Sequence, residues 1–280
     1  MIFTNRSLKS RIKMKSIVAC NECFKINHQS LLYVVDYFDD RKATLKCQHG
    51  HNTSVYISNE KFEILYASSI YAYHAGFYNE CISTAMAALE RLYEFLINVF
   101  YSKLLFGGCH LGIASSCETS FRKHLVNNSE RQFGAFTMLF SLATHGEVYN
   151  PKRRDGSKKN KGIVSIRNKV IHQGMMTTPF EAKAFLELVF DEINSILKAC
   201  SKHSDIRDAI EVVKVNIRSE GICDFGSVSI CDAICINFLN SIKKTGGSDA
   251  PFLKSFEREL DELVKRFSMI SQVLTLNHKA

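Results

Sequence analysis

No tryptophan occurs among the 280 residues, and proline and glycine are scarce, at 3 and 14. A shortage of the two main turn-formers argues against a loop-rich all-β fold. No apolar run free of charge is long enough to span a bilayer. The most apolar long stretch, 89–106, carries Glu90, Arg91, Glu94, Asn98 and Lys103. Behind the N-terminal cations Arg6, Lys9, Arg11, Lys13 and Lys15, only Ile17-Val18-Ala19 precedes Cys20, too little for the apolar core of a secretory signal. Phosphate-binding glycine loops, dinucleotide glycine patterns, Ser/His/Asp signatures, internal repeats and low-complexity tracts are not evident either.

What is present is the material of a globular protein, 46% hydrophobic and 23% charged, enough for one large domain or two modest ones. Twenty phenylalanines and ten tyrosines supply the core. Thirty-six cations against 28 acids leave a charge of +8, and a basic surface favours polyanions because neutralised phosphates release counterions. Ten cysteines do not make a disulfide scaffold here, since the chain is long and rich in core residues. A reducing cytoplasm is the expected setting, with thiols free or metal-bound.

Three regions follow along the chain. Residues 16–58 are strand-like: Leu31-Leu32-Tyr33-Val34-Val35 and Ala43-Thr44-Leu45 flank the turn-prone Asp39-Asp40, and Val55-Tyr56-Ile57 comes after. Such a unit is too small to stand on apolar burial alone. Residues 60–202 have helical spacing. Helices are predicted over 61–74 (broken by Gly76), 78–105 (with a stripe of Cys81, Ala85, Ala88, Leu89, Leu92, Phe95, Leu96 and Val99), 117–126, 130–143, 163–172 (capped by Gly174) and 179–199 (opened by Pro179). Residues 203–280 form a helical extension, with helices near 208–217 and 250–276 and no interpretable motif. The fold class is mainly α.

Cys20-Asn21-Glu22-Cys23 is a C-x2-C pair, and Cys47-Gln48-His49-Gly50-His51 lies downstream. Tetrahedral zinc takes four N or S ligands, and two chelating turns around a hairpin supply them. Cys20, Cys23, Cys47 and His51 are the expected set, His51 because Gly50 permits the tight turn before it; His49 is the rival. The arrangement resembles the zinc-ribbon class, departing from it where Cys-x-His-x-His replaces a second C-x2-C. A closed four-ligand zinc is structural. Cys223, Cys231 and Cys235 are irregularly spaced and read as buried thiols.

The sharpest signal is Arg167-Asn168-Lys169-Val170-Ile171-His172. Asn168 and His172, four apart, share a helix face. Arg167 is about 140° round from His172 at 3.6 residues per turn, within the swing of a long guanidinium. This segment resembles the HEPN superfamily (higher eukaryotes and prokaryotes nucleotide-binding), whose members are helical bundles and often carry Arg-Asn-x-x-x-His on a late helix. Ala72-Tyr73-His74-Ala75-Gly76-Phe77-Tyr78-Asn79-Glu80, running into Ala87-Ala88-Leu89-Glu90-Arg91-Leu92, is similar to the first helical pair of such proteins. The resemblance covers about 61–202 and implies a HEPN-like bundle between the small β zinc ribbon and the C-terminal extension. It further implies metal-independent endoribonuclease chemistry on RNA, in which the 2′-hydroxyl attacks the adjacent phosphorus to leave a 2′,3′-cyclic phosphate. His172 would move the proton, Arg167 would hold the phosphate, and Asn168 would orient either. It also implies a homodimer lining one cleft with two Arg/His sets, and a role in microbial defence or as a toxin, which calls for a regulatory partner protein.

Lys152, Arg153, Arg154, Lys158, Lys159 and Lys161 immediately precede the motif and are the candidate RNA-backbone contacts. His74 and Glu90 are further polar residues that could approach the site. The rival readings are a non-catalytic HEPN-like module binding RNA, nucleotide or a protein partner, and a zinc-dependent transcriptional or adaptor protein worked by the ribbon.

Overall fold

The computed structural model describes residues 14–27, 32–37, 40–106, 129–149, 162–222, 228–244 and 255–277. It is mainly helical with a small N-terminal β region. The chain divides into two compact units, one made of Met1–Ser58, Ser219–Ile234 and Ser268–Ala280, the other of Asn59–Arg218 and Cys235–Phe267. Residues 203–280, expected as one extension, are thus shared between the units.

In the first unit, β1 (Met14–Ala19) leads into the short helix α1 (Asn21–Asn27), followed by β2 (Leu32–Tyr37), β3 (Lys42–Lys46) and β4 (Asn52–Ile57). The pleat alternates as its sequence dictates: Tyr33, Val35 and Tyr37 are buried on β2, and Ala43 and Leu45 on β3 between more exposed neighbours. β1 pairs antiparallel with β2, from Met14↔Tyr37 to Ala19↔Leu32, and β3 pairs antiparallel with β4, from Lys42↔Tyr56 to Lys46↔Asn52. The strands between the two cysteine–histidine segments therefore do not form the hairpin expected of a ribbon. Each pairs outward, with the strand on the far side of its own ligands.

An unforeseen strand, β5 (Val228–Cys231), adds parallel to β4 from Ser54↔Val228 to Ile57↔Cys231. The residue after it ties down two strands: the backbone carbonyl of Asp232 accepts from the buried Ser16 hydroxyl at 3.1 Å, and its carboxylate accepts from Ser58 Oγ.

In the second unit, α2 (Lys61–His74) and α3 (Tyr78–Phe106) form an αα-hairpin. Gly76 turns the corner at φ +82°, a left-handed geometry that glycine adopts without a Cβ penalty. All eight residues of the expected α3 stripe are buried. Ile82, Tyr93, Ile97 and Phe100 are buried as well, because α3 is the central helix and packs on α4 (Ser129–Ala143), α5 (Ile163–Gln173) and α6 (Pro179–Ser201). α6 opens with a capping box: Thr178 Oγ1 accepts from Glu181 N at 3.2 Å, the Glu181 carboxylate accepts from Thr178 N at 3.0 Å, and Pro179 fills the first turn. Beyond it come α7 (Ser204–Ile222), α8 (Phe238–Lys244) and α9 (Phe256–Asn277). The predicted helix over 117–126 lies outside the described residues.

Aromatic rings fill the core in two groups, Phe62, Tyr66, Phe95, Phe190, Phe238 and Phe256 in one, Tyr93, Phe100, Phe133, Phe136, Phe140 and Tyr149 in the other. Two carboxyls lie among them. Glu63 and Glu192 are 3% and 2% exposed, and burial pushes each up to about 7. Glu192 Oε1 accepts from the Tyr149 hydroxyl. Among the described residues, no helix is long and apolar enough to cross a membrane.

Candidate functional site

Four ligand-type atoms meet in the first unit. Cys20 follows β1, and Cys23 lies in the first turn of α1, where Phe24 N donates to Cys20 O at 3.1 Å. The first pair is thus held at a strand–helix junction rather than in a hairpin turn. Cys47 follows β3 and His51 precedes β4. Their loop is closed by Cys47 N donating to His51 O and Gly50 N to Cys47 O, both at 3.0 Å, with Gly50 at φ +82°. The glycine thus performs the turn expected of it.

The ligand atoms of Cys20, Cys23, Cys47 and His51 all lie within 4.8 Å of one another. Cys23 Sγ is 3.7 Å from Cys47 Sγ, and His51 Nδ1 is 3.8, 3.4 and 3.4 Å from the sulfurs of Cys20, Cys23 and Cys47. Around a tetrahedral ion with bonds of about 2.3 Å to sulfur and 2.0–2.1 Å to nitrogen, sulfurs stand roughly 3.8 Å apart and each sulfur roughly 3.6 Å from the nitrogen. The spacings match, so these four residues could hold a metal ion. Three sulfurs and an imidazole suit a borderline-soft cation and not calcium or magnesium.

The thiol environments agree. Burial, then the neighbouring Cys20 and Cys47 sulfurs, push Cys23 up to about 12, a crowding that a cation would relieve. Burial acts the same way on Cys47 but is outweighed by the backbone N–H groups of His51 and His49 together with the Cys23 and Cys20 thiols, and the group comes down to about 7. Sequence reasoning missed the buttress: Asn21 Nδ2, at the start of α1, donates to Ser229 Oγ on β5. Among the described residues this is the one group of side chains placed to hold a metal. Cys231 and Cys235 do not join it, and Cys223 lies outside the described residues.

In the second unit, α5 carries the other candidate group. It ends as expected at Gly174, φ +65°, with Gly174 N and Met175 N both donating to Lys169 O. His172 is exposed in the last turn, and Arg167 and Asn168 are half-buried. Arg167 Nη1 lies 3.0 Å from Asn168 Oδ1 and 3.2 Å from His172 Nε2, so the guanidinium does bridge the angular gap. A guanidinium only donates, hence Nε2 accepts in this contact. Arg167 Nε is buried and has no hydrogen-bond partner.

Asn79, at the start of α3, is the residue that pattern reading passed over. Its Nδ2 donates to Met175 O at 3.2 Å and its Oδ1 accepts from Thr177 N at 3.0 Å, which fastens the α5–α6 connection on the far side of His172. Two paired main-chain contacts from one amide imitate a strand ladder, and no spacing rule reveals them. His74 packs edge-on against Tyr73. The six basic residues Lys152, Arg153, Arg154, Lys158, Lys159 and Lys161 lie outside the described residues.

Comparison of this chain with family models, with curated proteins and with solved structures gives no match.

Proposed function

We propose that the protein is a metal-independent endoribonuclease of the HEPN type, acting as a homodimer, with zinc as a purely structural ion at Cys20, Cys23, Cys47 and His51. The observation that carries this reading is the 3.2 Å approach of Arg167 Nη1 to His172 Nε2 on the exposed end of α5. In that contact His172 carries no proton on Nε2, and once the Arg167 guanidinium turns to the substrate phosphate the freed lone pair can take a proton from a ribose 2′-hydroxyl. The freed oxygen attacks the adjacent phosphorus, the bond from phosphorus to O5′ breaks, and a 2′,3′-cyclic phosphate and a 5′-hydroxyl result. Arg167 is suited to hold the non-bridging phosphate oxygens while charge builds on them. Asn168 Oδ1, already bonded to the guanidinium, steadies it.

A single imidazole cannot both take the 2′ proton and protonate the leaving O5′ in one step, so the partner subunit's His172 serves as the acid. Ile171 within the motif and Met176 and Phe180 beyond it are 44, 83 and 82% exposed, apolar surface whose burial against a second copy would be favourable. The six cations just ahead of α5 suit an RNA backbone without sequence choice. Zinc, when bound, supplies structural closure of the β unit, since four protein ligands leave no position for substrate.

Binding of RNA, nucleotide or a protein without cleavage is the second reading. It is favoured by the same contact seen differently: a guanidinium donating to Nε2 occupies the lone pair that a base needs. Purified full-length protein with single-stranded RNA in magnesium-free buffer containing EDTA separates the two. Cleavage with cyclic-phosphate ends is expected, lost by about 100-fold or more in Arg167→Ala and His172→Ala, with helicity and metal content unchanged. Cutting that survives both substitutions removes the mechanism; tight RNA binding with no cutting selects the second reading.

A further inference from the structure

Five N or S donors surround a centre that needs four, and the fifth is His49. Its Nδ1 lies 3.2 Å from Cys23 Sγ. His51 Nδ1 stands within 3.4–3.8 Å of all three sulfurs, the position of a tetrahedral apex. No corresponding approach joins His49 to Cys20 or Cys47 among the side-chain contacts of the described residues, and the set of atoms within 4.8 Å of one another does not include it. The two rings are not stacked: their centroids are 6.3 Å apart with planes at 51°. His49 itself is exposed, whereas Cys23 is buried.

We infer that His49 is an outer-sphere residue of the metal centre, donating Nδ1–H to the Cys23 thiolate. Three thiolates around a divalent ion carry one excess negative charge, and hydrogen bonds to the sulfurs are the means by which a protein spreads it. His49 serves both segments at once. Its ring reaches Cys23 on the first, while its backbone lies in the Cys47–His51 turn of the second. The turn dictated by Gly50 sets the division of labour, sending one imidazole into the coordination sphere and the other onto a sulfur from the solvent side.

Cobalt(II) substitution of the full chain, with zinc affinity by chelator competition, tests the assignment. His49→Ala is expected to keep the visible bands of a tetrahedral site, to move the thiolate-to-cobalt charge-transfer band to lower energy, and to weaken zinc binding about 10- to 100-fold. His49→Asn, which keeps an N–H at the Nδ1 position, should restore both band and affinity. His51→Ala should instead alter the visible bands, because it removes a ligand. Loss of the tetrahedral bands in His49→Ala would make His49 the ligand and overturn the inference. So would a band and affinity unchanged from the parent, or a His49→Asn protein as weak as His49→Ala.

Discussion

Glu63 offers a stability test that does not depend on either functional reading. Its carboxylate lies where α2 begins and is met by three donors: Leu239 N at the start of α8 at 3.0 Å, Glu60 N at 3.1 Å and Asn59 Nδ2 at 3.2 Å. The same Asn59 amide donates to Asn237 Oδ1 at 2.6 Å, so one polar node ties the first turns of two helices together. Even so, burial outweighs the donors, and the nearby Glu60 carboxylate adds to it, so the group rises from 4.5 to about 7. At about 1.36 kcal/mol per pH unit, that displacement is worth roughly 3 kcal/mol.

The sign follows from proton counts. Between about pH 4.5 and 7 the folded chain holds this proton more firmly than the unfolded chain, so stability falls as pH rises and levels off above the window. Glu63→Gln cannot titrate. Near pH 4.5 it should be less stable than the parent by about 1–3 kcal/mol, because its amide nitrogen, unlike the hydroxyl oxygen of the neutral acid, cannot accept from the N–H it faces. By about pH 8 the difference should have moved in the variant's favour by roughly 3 kcal/mol. Urea denaturation of both proteins across this range, followed by the helical circular dichroism signal, measures it, and comparing the pair cancels the pH response of the metal ligands. A difference that stays flat with pH would refute a buried, proton-holding Glu63. Glu192→Gln should change with the same sign, since burial raises that carboxyl as well.

Two perturbations probe the sites more directly. Removing the metal with a chelator should strip hydrogen-exchange protection from β1–β4 while the core of α3 and α6 keeps its own, because the four ligands join the two segments from which these strands run; unchanged protection in the strands would argue against a structural ion. Asn79→Ala orphans Met175 O and Thr177 N and should destabilise the helical unit by about 1–3 kcal/mol in the same denaturation assay. A loss below a few tenths would mean that water replaces the clamp.

The helical unit was legible wherever an apolar stripe ran for several turns or a cap was chemically explicit. The α3 stripe, Gly76, Gly174 and the Pro179 start are all local facts, and each held. What escaped was short or non-local. β5 has four residues, and its partner β4 lies more than 170 positions earlier, so nothing near it announces a strand. α8 and α1 have seven residues each, too few for a helical period to stand out. The metal set could be read from donor type and spacing, but the choice between His49 and His51 turned on a backbone dihedral at Gly50.

The Arg167–His172 geometry is fixed from outside its own helix. α5 has only 11 residues and buries two of them, Ile163 and Val170. Helices this short are marginal in water, and two aliphatic side chains contribute only about 3–6 kcal/mol of transfer free energy against the ordering of the segment. The helix must therefore be held at its ends. Its N-cap, Gly162, offers no side chain, so the anchoring falls on the C-terminal side, where Gly174 closes the last turn and Asn79 grips the connection beyond it. His172 stands between those two fixtures and its guanidinium neighbour. The residues that aim the imidazole thus come from the opening turn of α3 as much as from the Arg-Asn-x-x-x-His segment. The upstream Gly76-Phe77-Tyr78-Asn79 stretch, matched only loosely to a helical pair at the level of sequence, is then coupled physically to the motif nearly ninety positions later.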